Sequence, residues 1–187
     1  MTLLITTFAP WKAHQTTNSS DDLVASLCNH RLLPKQTQVL RNLPVHFQLA
    51  PSQVIAAVYQ YRPTMVICCG MAETRSQLSL ERYAHGPEER LETPLNLSHL
   101  AAGLKWTTIS HNAGNFVCNA LYYEVLRHLQ KHNLDVQGLF LHVPRLNNYN
   151  RQPLIQDCVS VLSRLEMGTT WSQHSTVCSK ATPIIVR

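Results

Sequence analysis

Three residues of this chain could together carry out acyl transfer: Cys118, His142 and Glu81. A thiol, an imidazole base and a carboxylate that orients it are the working parts of a cysteine hydrolase. Cys118 falls in the first turn of a helix predicted over 115–131, just after the turn-forming Asn112-Ala113-Gly114. Free backbone N–H groups and the helix dipole at such a place favour a thiolate. His142 closes the apolar run Gly138-Leu139-Phe140-Leu141, and Pro144 stops the strand two residues later. A histidine there can reach over the sheet edge toward a neighbouring helix start. Glu81 sits in Leu80-Glu81-Arg82-Tyr83-Ala84, after another strand-like stretch. Each also has a plainer reading. Cysteine inside a helix is more often a small core residue, a strand-end histidine a structural one, and Glu81 beside Arg82 a surface charge. Spacing alone reaches an α/β protein with a candidate thiol site.

The elements that must position these groups follow from the hydrophobic pattern. Leu3-Leu4-Ile5-Thr6 reads as a buried opening strand that ends at Phe8-Ala9-Pro10-Trp11, and Asn18-Ser19-Ser20-Asp21-Asp22 as a helix start leading to Leu23–Leu27. Val45–Leu49, entered through Pro44, is expected to be a second strand, and Pro51 to open a helix ending near Arg62-Pro63. Thr64–Cys69 is an apolar β-type run closed by Gly70, as in a strand buried on both faces. Further strands are expected over Gln77–Ala84, Trp106–Ser110 and Val136–Val143, with an irregular polar stretch over 85–94 and a helix over Pro153–Leu165. This alternation predicts a single-domain, three-layer α/β/α sandwich around a mostly parallel, mixed sheet. The domain is expected over residues 1–165. Residues 166–187 form a tail, with Ile184-Ile185-Val186 a candidate added edge strand.

Composition narrows the function. The chain has 187 residues, 44% hydrophobic and 14% charged, which suits one globular domain with a substantial core. Its apolar runs are too short to span a bilayer. The N-terminal Met1–Thr7 stretch lacks a basic signal-peptide region, so a cytoplasmic protein that does not engage membranes is expected. The six cysteines form no C-x-x-C pair, which argues against a structural zinc site and predicts mostly buried thiols. The net charge of +5 is spread along the chain without a recognisable nucleic-acid-binding module, so no nucleic-acid partner is expected.

At the same residues the sequence resembles the pyroglutamyl peptidases, also called pyrrolidone-carboxylate peptidases. Ser110-His111-Asn112-Ala113-Gly114-Asn115-Phe116-Val117-Cys118-Asn119 resembles the family's N-T-A-G-x-(Y/F)-V-C-N around the nucleophile. Phe140-Leu141-His142-Val143-Pro144 resembles F-(I/L)-H-V-P, which carries the base. Val66–Arg75 with Leu80–Ala84 resembles the segment carrying the catalytic acid, and Leu4–Trp11 resembles the opening L-L-T-G-F-x-P-F. The resemblance covers about residues 3 to 165. It implies a cysteine exopeptidase that removes an N-terminal pyroglutamyl group from peptides and needs no metal or organic cofactor. Cys118 would be the nucleophile, passing through a thioacyl-enzyme, His142 its base, and Glu81 the residue that orients His142. Phe8 and Trp11 would pack on the lactam ring, with Met71 in the pocket. Self-association into a homo-oligomer is left open.

The departures from the family pattern concern the pocket rim. Lys12-Ala13 stands where the family carries Gly-Gly, Thr7 replaces the glycine before Phe8, and Glu73-Thr74 replaces another usual Gly-Gly. Met71 occupies a position often polar, and the loop between Glu81 and the nucleophile helix is largely missing. Arg90 is the candidate substitute for the family's arginine in that region, with a one-residue shift. These changes keep two alternatives open: a thiol hydrolase of the same fold with shifted amide specificity, and a non-catalytic peptide-binding relative.

Overall fold

The computed structural model describes residues 1–172. The candidate edge strand at Ile184–Val186 therefore lies outside the described residues.

The chain opens with β1 (Leu3–Phe8), followed by α1 (Ser19–Asn29). The predicted helix start holds: Asn18 is the N-cap and its side chain accepts the Ser20 N–H at 3.0 Å. Next come β2 (Thr37–Leu43), α2 (Leu49–Tyr61) and β3 (Met65–Met71). The expected strand over Val45–Leu49 is not one. β1 offers one edge here, and Thr37–Leu43 takes it in parallel register, Leu3 opposite Thr37 and Ile5 opposite Val39. Residues 45–48 instead turn the chain into α2, with His46 Nδ1 accepting the N–H groups of Gln48 and Leu49 at 3.2 and 3.3 Å. α2 ends where expected, at Arg62, which takes the left-handed conformation (φ 46) ahead of Pro63.

Beyond β3 the predicted Gln77–Ala84 strand is split into β4 (Leu78–Glu81) and β5 (Tyr83–His85). The stretch expected to be irregular contains β6 (Arg90–Glu92), which pairs antiparallel with β5 in a small two-stranded sheet. The remaining elements are α3 (Leu97–Ala101), β7 (Thr107–Ser110), α4 (Val117–Lys131), β8 (Gln137–Val143) and α5 (Arg151–Ser172). α5 runs past Leu165, so the helix crosses the boundary drawn from sequence.

The main sheet has the order β2-β1-β3-β8-β4-β7. It is parallel except where β4 meets β8 antiparallel, which is the mixed sheet expected. Alternating side chains feed two cores. Leu3, Ile5, Met65, Ile67, Leu139 and Leu141 pack under α1, α3 and α5. Leu4, Val66, Cys68 and Phe140 face α2 and α4. Period-two alternation thus gives each strand two apolar faces, and helices must cover both. Each large side chain removed from water contributes roughly 1.5–3 kcal/mol, and the central strands β3 and β8 are buried along almost their whole length. These two strands form the rigid floor on which the site stands. No helix among the described residues is long and apolar enough to cross a membrane.

Candidate active site

Gly70 and His142 are register partners near the ends of β3 and β8. A β-carbon built on Gly70 would lie 2.8 Å from Cys118 Sγ, so the sulfur rests directly on this glycine. Only a residue without a side chain allows α4 to set its first turn against the strand end. The loop leading there is shaped by Gly114, at φ +80, whose N–H donates to Asn112 Oδ1 at 2.8 Å. Phe116 caps α4 without a side-chain hydrogen bond. Ala120 N donates to Phe116 O, so the N–H groups of the first turn ahead of it are unused by the helix.

Glu81 ends β4 directly opposite Ser110 on β7. It is fully buried, and its Oε1 accepts from His142 Nδ1 at 2.6 Å and from Arg75 Nη1 at 2.5 Å. Arg75 is anchored in turn by the Asn112 carbonyl at 2.9 Å. A carboxylate only accepts, so the proton of this contact sits on His142 Nδ1 and the ring presents Nε2 as a base. Burial pushes Glu81 up, but the hydrogen bond and charge of His142, with Ser110 and Arg75, bring it below the usual carboxylate value. Burial pulls His142 below the ordinary histidine value, against the opposing pull of Glu81. The resting pair is therefore a carboxylate and a neutral imidazole.

Cys118 behaves differently from the sequence expectation. Burial pushes its thiol up to about 12, outweighing the lowering by its own backbone N–H at the helix start. The helix terminus favours a thiolate, but desolvation beside a buried carboxylate is the larger effect here. At rest the sulfur is a neutral thiol that needs a base. Cys68 lies beneath it, its thiol likewise pushed up to about 12 by burial. Among the described residues Cys28, Cys68, Cys69, Cys118 and Cys158 are all free.

Cys118 and His142 open into a cavity of about 110 Å³ walled by Phe8, Trp11, Val45, Met71 and Phe116. At roughly 30 Å³ per water this holds three or four waters, enough for one small cyclic group. The Trp11 and Phe116 rings meet at a tilt of 41° with their centroids 4.8 Å apart at its mouth. Of the residues singled out by sequence, Phe8, Trp11 and Met71 line this cavity with Cys118 and His142, and Glu81 backs His142. Arg90 does not reach it. Its guanidinium lies 4.3 Å from the Tyr83 ring centroid, because pairing of β5 with β6 puts the two on one face of the small sheet. Sequence reasoning gave no role to Arg75, Phe116 or Asn119. Asn119 grips β5 through both hydrogen bonds to the His85 backbone, at 2.8 and 2.7 Å. All three lie within the motif segments, yet only contacts across elements reveal what they hold.

The chain matches the pyroglutamyl peptidase family over residues 1–90 and 98–159. The break at 91–97 falls between Glu81 and α4, in the stretch expected from sequence to be shortened. Pyrrolidone-carboxylate peptidase of Brachyspira hyodysenteriae is 27% identical over 175 residues, covering 77% of this chain and 83% of that protein. The Bacillus thuringiensis protein of the same name is 25% identical over 182 residues, covering 81% and 84%. Solved structures share the fold. Pyroglutamyl peptidase I of Bacillus amyloliquefaciens superposes with a TM-score of 0.73 at 21% identity, covering 86% of this chain and 94% of that one. Pyrrolidone carboxyl peptidase of Thermococcus litoralis gives 0.76 at 17% identity, covering 96% and 99%. The family match spans most of the chain and the fold agrees with it, so the chain belongs to the pyroglutamyl peptidase family of cysteine peptidases.

Proposed function

We propose that this protein removes N-terminal pyroglutamyl groups from peptides through a thioacyl-enzyme on Cys118. The lactam ring enters the cavity between Phe8, Trp11, Phe116 and Met71, presenting its acyl carbon to the sulfur. His142 Nε2 takes the thiol proton as the Sγ–C bond forms. The free N–H groups at the start of α4 receive the oxyanion. His142 then returns the proton to the leaving amine as the C–N bond breaks. Water, deprotonated by the same Nε2, attacks the thioester, and its collapse releases pyroglutamate and restores the thiol. Glu81 holds the ring in the productive tautomer and stabilises the transient imidazolium, and Arg75 keeps Glu81 ionised. A reducing cytoplasm suits this free-thiol chemistry.

The observation that carries this reading is the seat of the Cys118 sulfur on Gly70, beside an imidazole whose Nδ1 is engaged by a buried carboxylate. The test is hydrolysis of a fluorogenic pyroglutamyl amide by the reduced protein. Wild type should cleave it and Cys118→Ala should not; a folded wild type without turnover would refute the reading. One feature favours a second reading, shifted amide specificity. Met71 supplies a thioether already occupied by the Ser19 N–H at 3.4 Å, and the Asn18 side chain is spent on Ala9 O, Ser20 N and Ser20 Oγ. Few side-chain polar groups remain for the lactam. Proline amide, which lacks the lactam carbonyl, should still be cleaved much more slowly than pyroglutamyl amide; equal rates would support the second reading.

A further inference from the structure

Two of the chain's departures from the family pattern meet beside the cavity. Lys12, after β1, and Glu73, after β3, each stand where that pattern carries glycine. Lys12 Nζ pairs with Glu73 Oε2, and the same ammonium lies 4.7 Å from the Trp11 ring centroid. Gln15 closes the circuit. Its Nε2 donates to Glu73 Oε1 at 2.9 Å, while its Oε1 accepts the N–H groups of Trp11 and Lys12 at 3.1 and 3.2 Å. Trp11 is thus held twice, by its backbone through Gln15 and by its ring through Lys12.

The clasp stands at a partition. A second, polar cavity of about 170 Å³, lined by Gln15, Glu73 and Arg145 among others, shares Met71 with the catalytic cavity. A lone surface ion pair contributes little, and the side chains of Lys12 and Glu73 are 33% and 29% exposed. Here, however, the pair is one link among several that converge on a single residue, Trp11, at its backbone through Gln15 and at its ring through Lys12. Without those links the indole would sample other rotamers, and substrate would have to order it on binding.

We propose that Lys12, Gln15 and Glu73 form a positioning clasp that presets Trp11 as the wall of the acyl cavity. The clasp sets substrate affinity rather than the rate of the chemical step. This rests on the reading that the cavity receives a pyroglutamyl ring.

The test is a double-mutant cycle on the full chain with the fluorogenic pyroglutamyl amide, using Lys12→Met, Glu73→Gln and the double variant. Each single change should raise KM about threefold to fivefold with kcat within about twofold, as loss of uniform binding does. The double variant should be no worse than the poorer single, because one interaction is lost once. Unchanged KM, penalties that multiply in the double variant, or a fall in kcat at constant KM would each overturn the clasp. A second readout does not depend on turnover. With Trp106 and Trp171 changed to Phe, Trp11 is the sole indole, and Glu73→Gln should make its fluorescence easier to quench with acrylamide. Unaltered quenching overturns the proposal even if the wild type cleaves nothing, whereas lost turnover with increased quenching sinks the proposed reaction alone.

Discussion

His142 at the base of the cavity and Glu81 behind it are 4% and 0% exposed, whereas Trp11 and Phe116 at its mouth are 45% and 42% exposed. At the base, each group stands on a strand end or helix start of the main sheet layer; Glu81 and His142 partner each other, and Arg75 reaches Glu81 from the loop after β3. At the mouth, side chains stand on loops and are held by a tilted ring contact and a partly exposed ion pair. In a desolvated place a single misplaced group leaves a charge or donor unpaired, so tolerance for change is small. At the surface, water compensates for lost contacts, so residues can be exchanged more freely. On the proposed mechanism the chemistry belongs to the base, and the choice of substrate to the mouth.

Changes at the base should break this contrast most strongly. Glu81→Gln keeps the shape and can still accept from Arg75, while the Tyr122 hydroxyl bonds the backbone carbonyl of residue 81 and not its side chain. The fold should survive. Turnover should fall by about 10²–10³, less than the ~10⁴ of the equivalent change in serine triads, because a thiol depends less on its base. Wild-type kcat with an unchanged melting curve would reduce Glu81 to a structural acid. Gly70→Ala is the next largest. Its new methyl would come within 2.8 Å of both Cys118 Sγ and Phe140 Cζ, and the buried ring cannot yield, so the sulfur must. A displacement near 1 Å costs roughly 10²-fold. We expect the loss in kcat with KM nearly constant, which steady-state kinetics would separate from a rim effect.

The smallest effect is the pH response, which sharpens the account of the resting pair. Protonating His142 removes the base, so kcat/KM should fall as pH falls, with the limb below histidine's ordinary 6.5 because burial lowers this residue. With the Cys118 thiol at about 12, no thiol limb should appear between neutral pH and about pH 10. A bell closing near pH 8–9 would show that the thiol ionises freely. Stability should share the sign. Both Glu81 and His142 hold protons less tightly folded than unfolded, so the unfolded state binds more protons and stability declines as pH drops below histidine's unfolded value. Thermal melts between about pH 7 and pH 4 check this.

Much of the architecture was legible where one local pattern dominates. The apolar runs of β1, β3 and β8 read as buried strands because they are apolar on both faces, and Asn18 and Arg62-Pro63 mark helix ends through their own backbone chemistry. The second strand was not legible. Thr37–Leu43 is a half-polar edge strand containing Arg41 and Asn42, while Val45–Leu49 has the richer apolar composition yet finds no strand partner. Arg90 shows the same limit. Nothing local distinguishes a pocket arginine from one stacked on Tyr83.

The identities and order of Cys118, His142 and Glu81, and the family to which their motifs belong, were properties of the sequence by itself, because each motif is a short continuous stretch. Their protonation was not. That the thiol rests neutral, that His142 offers Nε2, and that Arg75 completes Glu81 depend on burial and on contacts between residues far apart in the chain. The same holds for the clasp, whose two charged members lie 61 positions apart. Desolvation and charge pairing act through space, and only the folded sheet, with Gly70 placed under the sulfur, brings those groups within range.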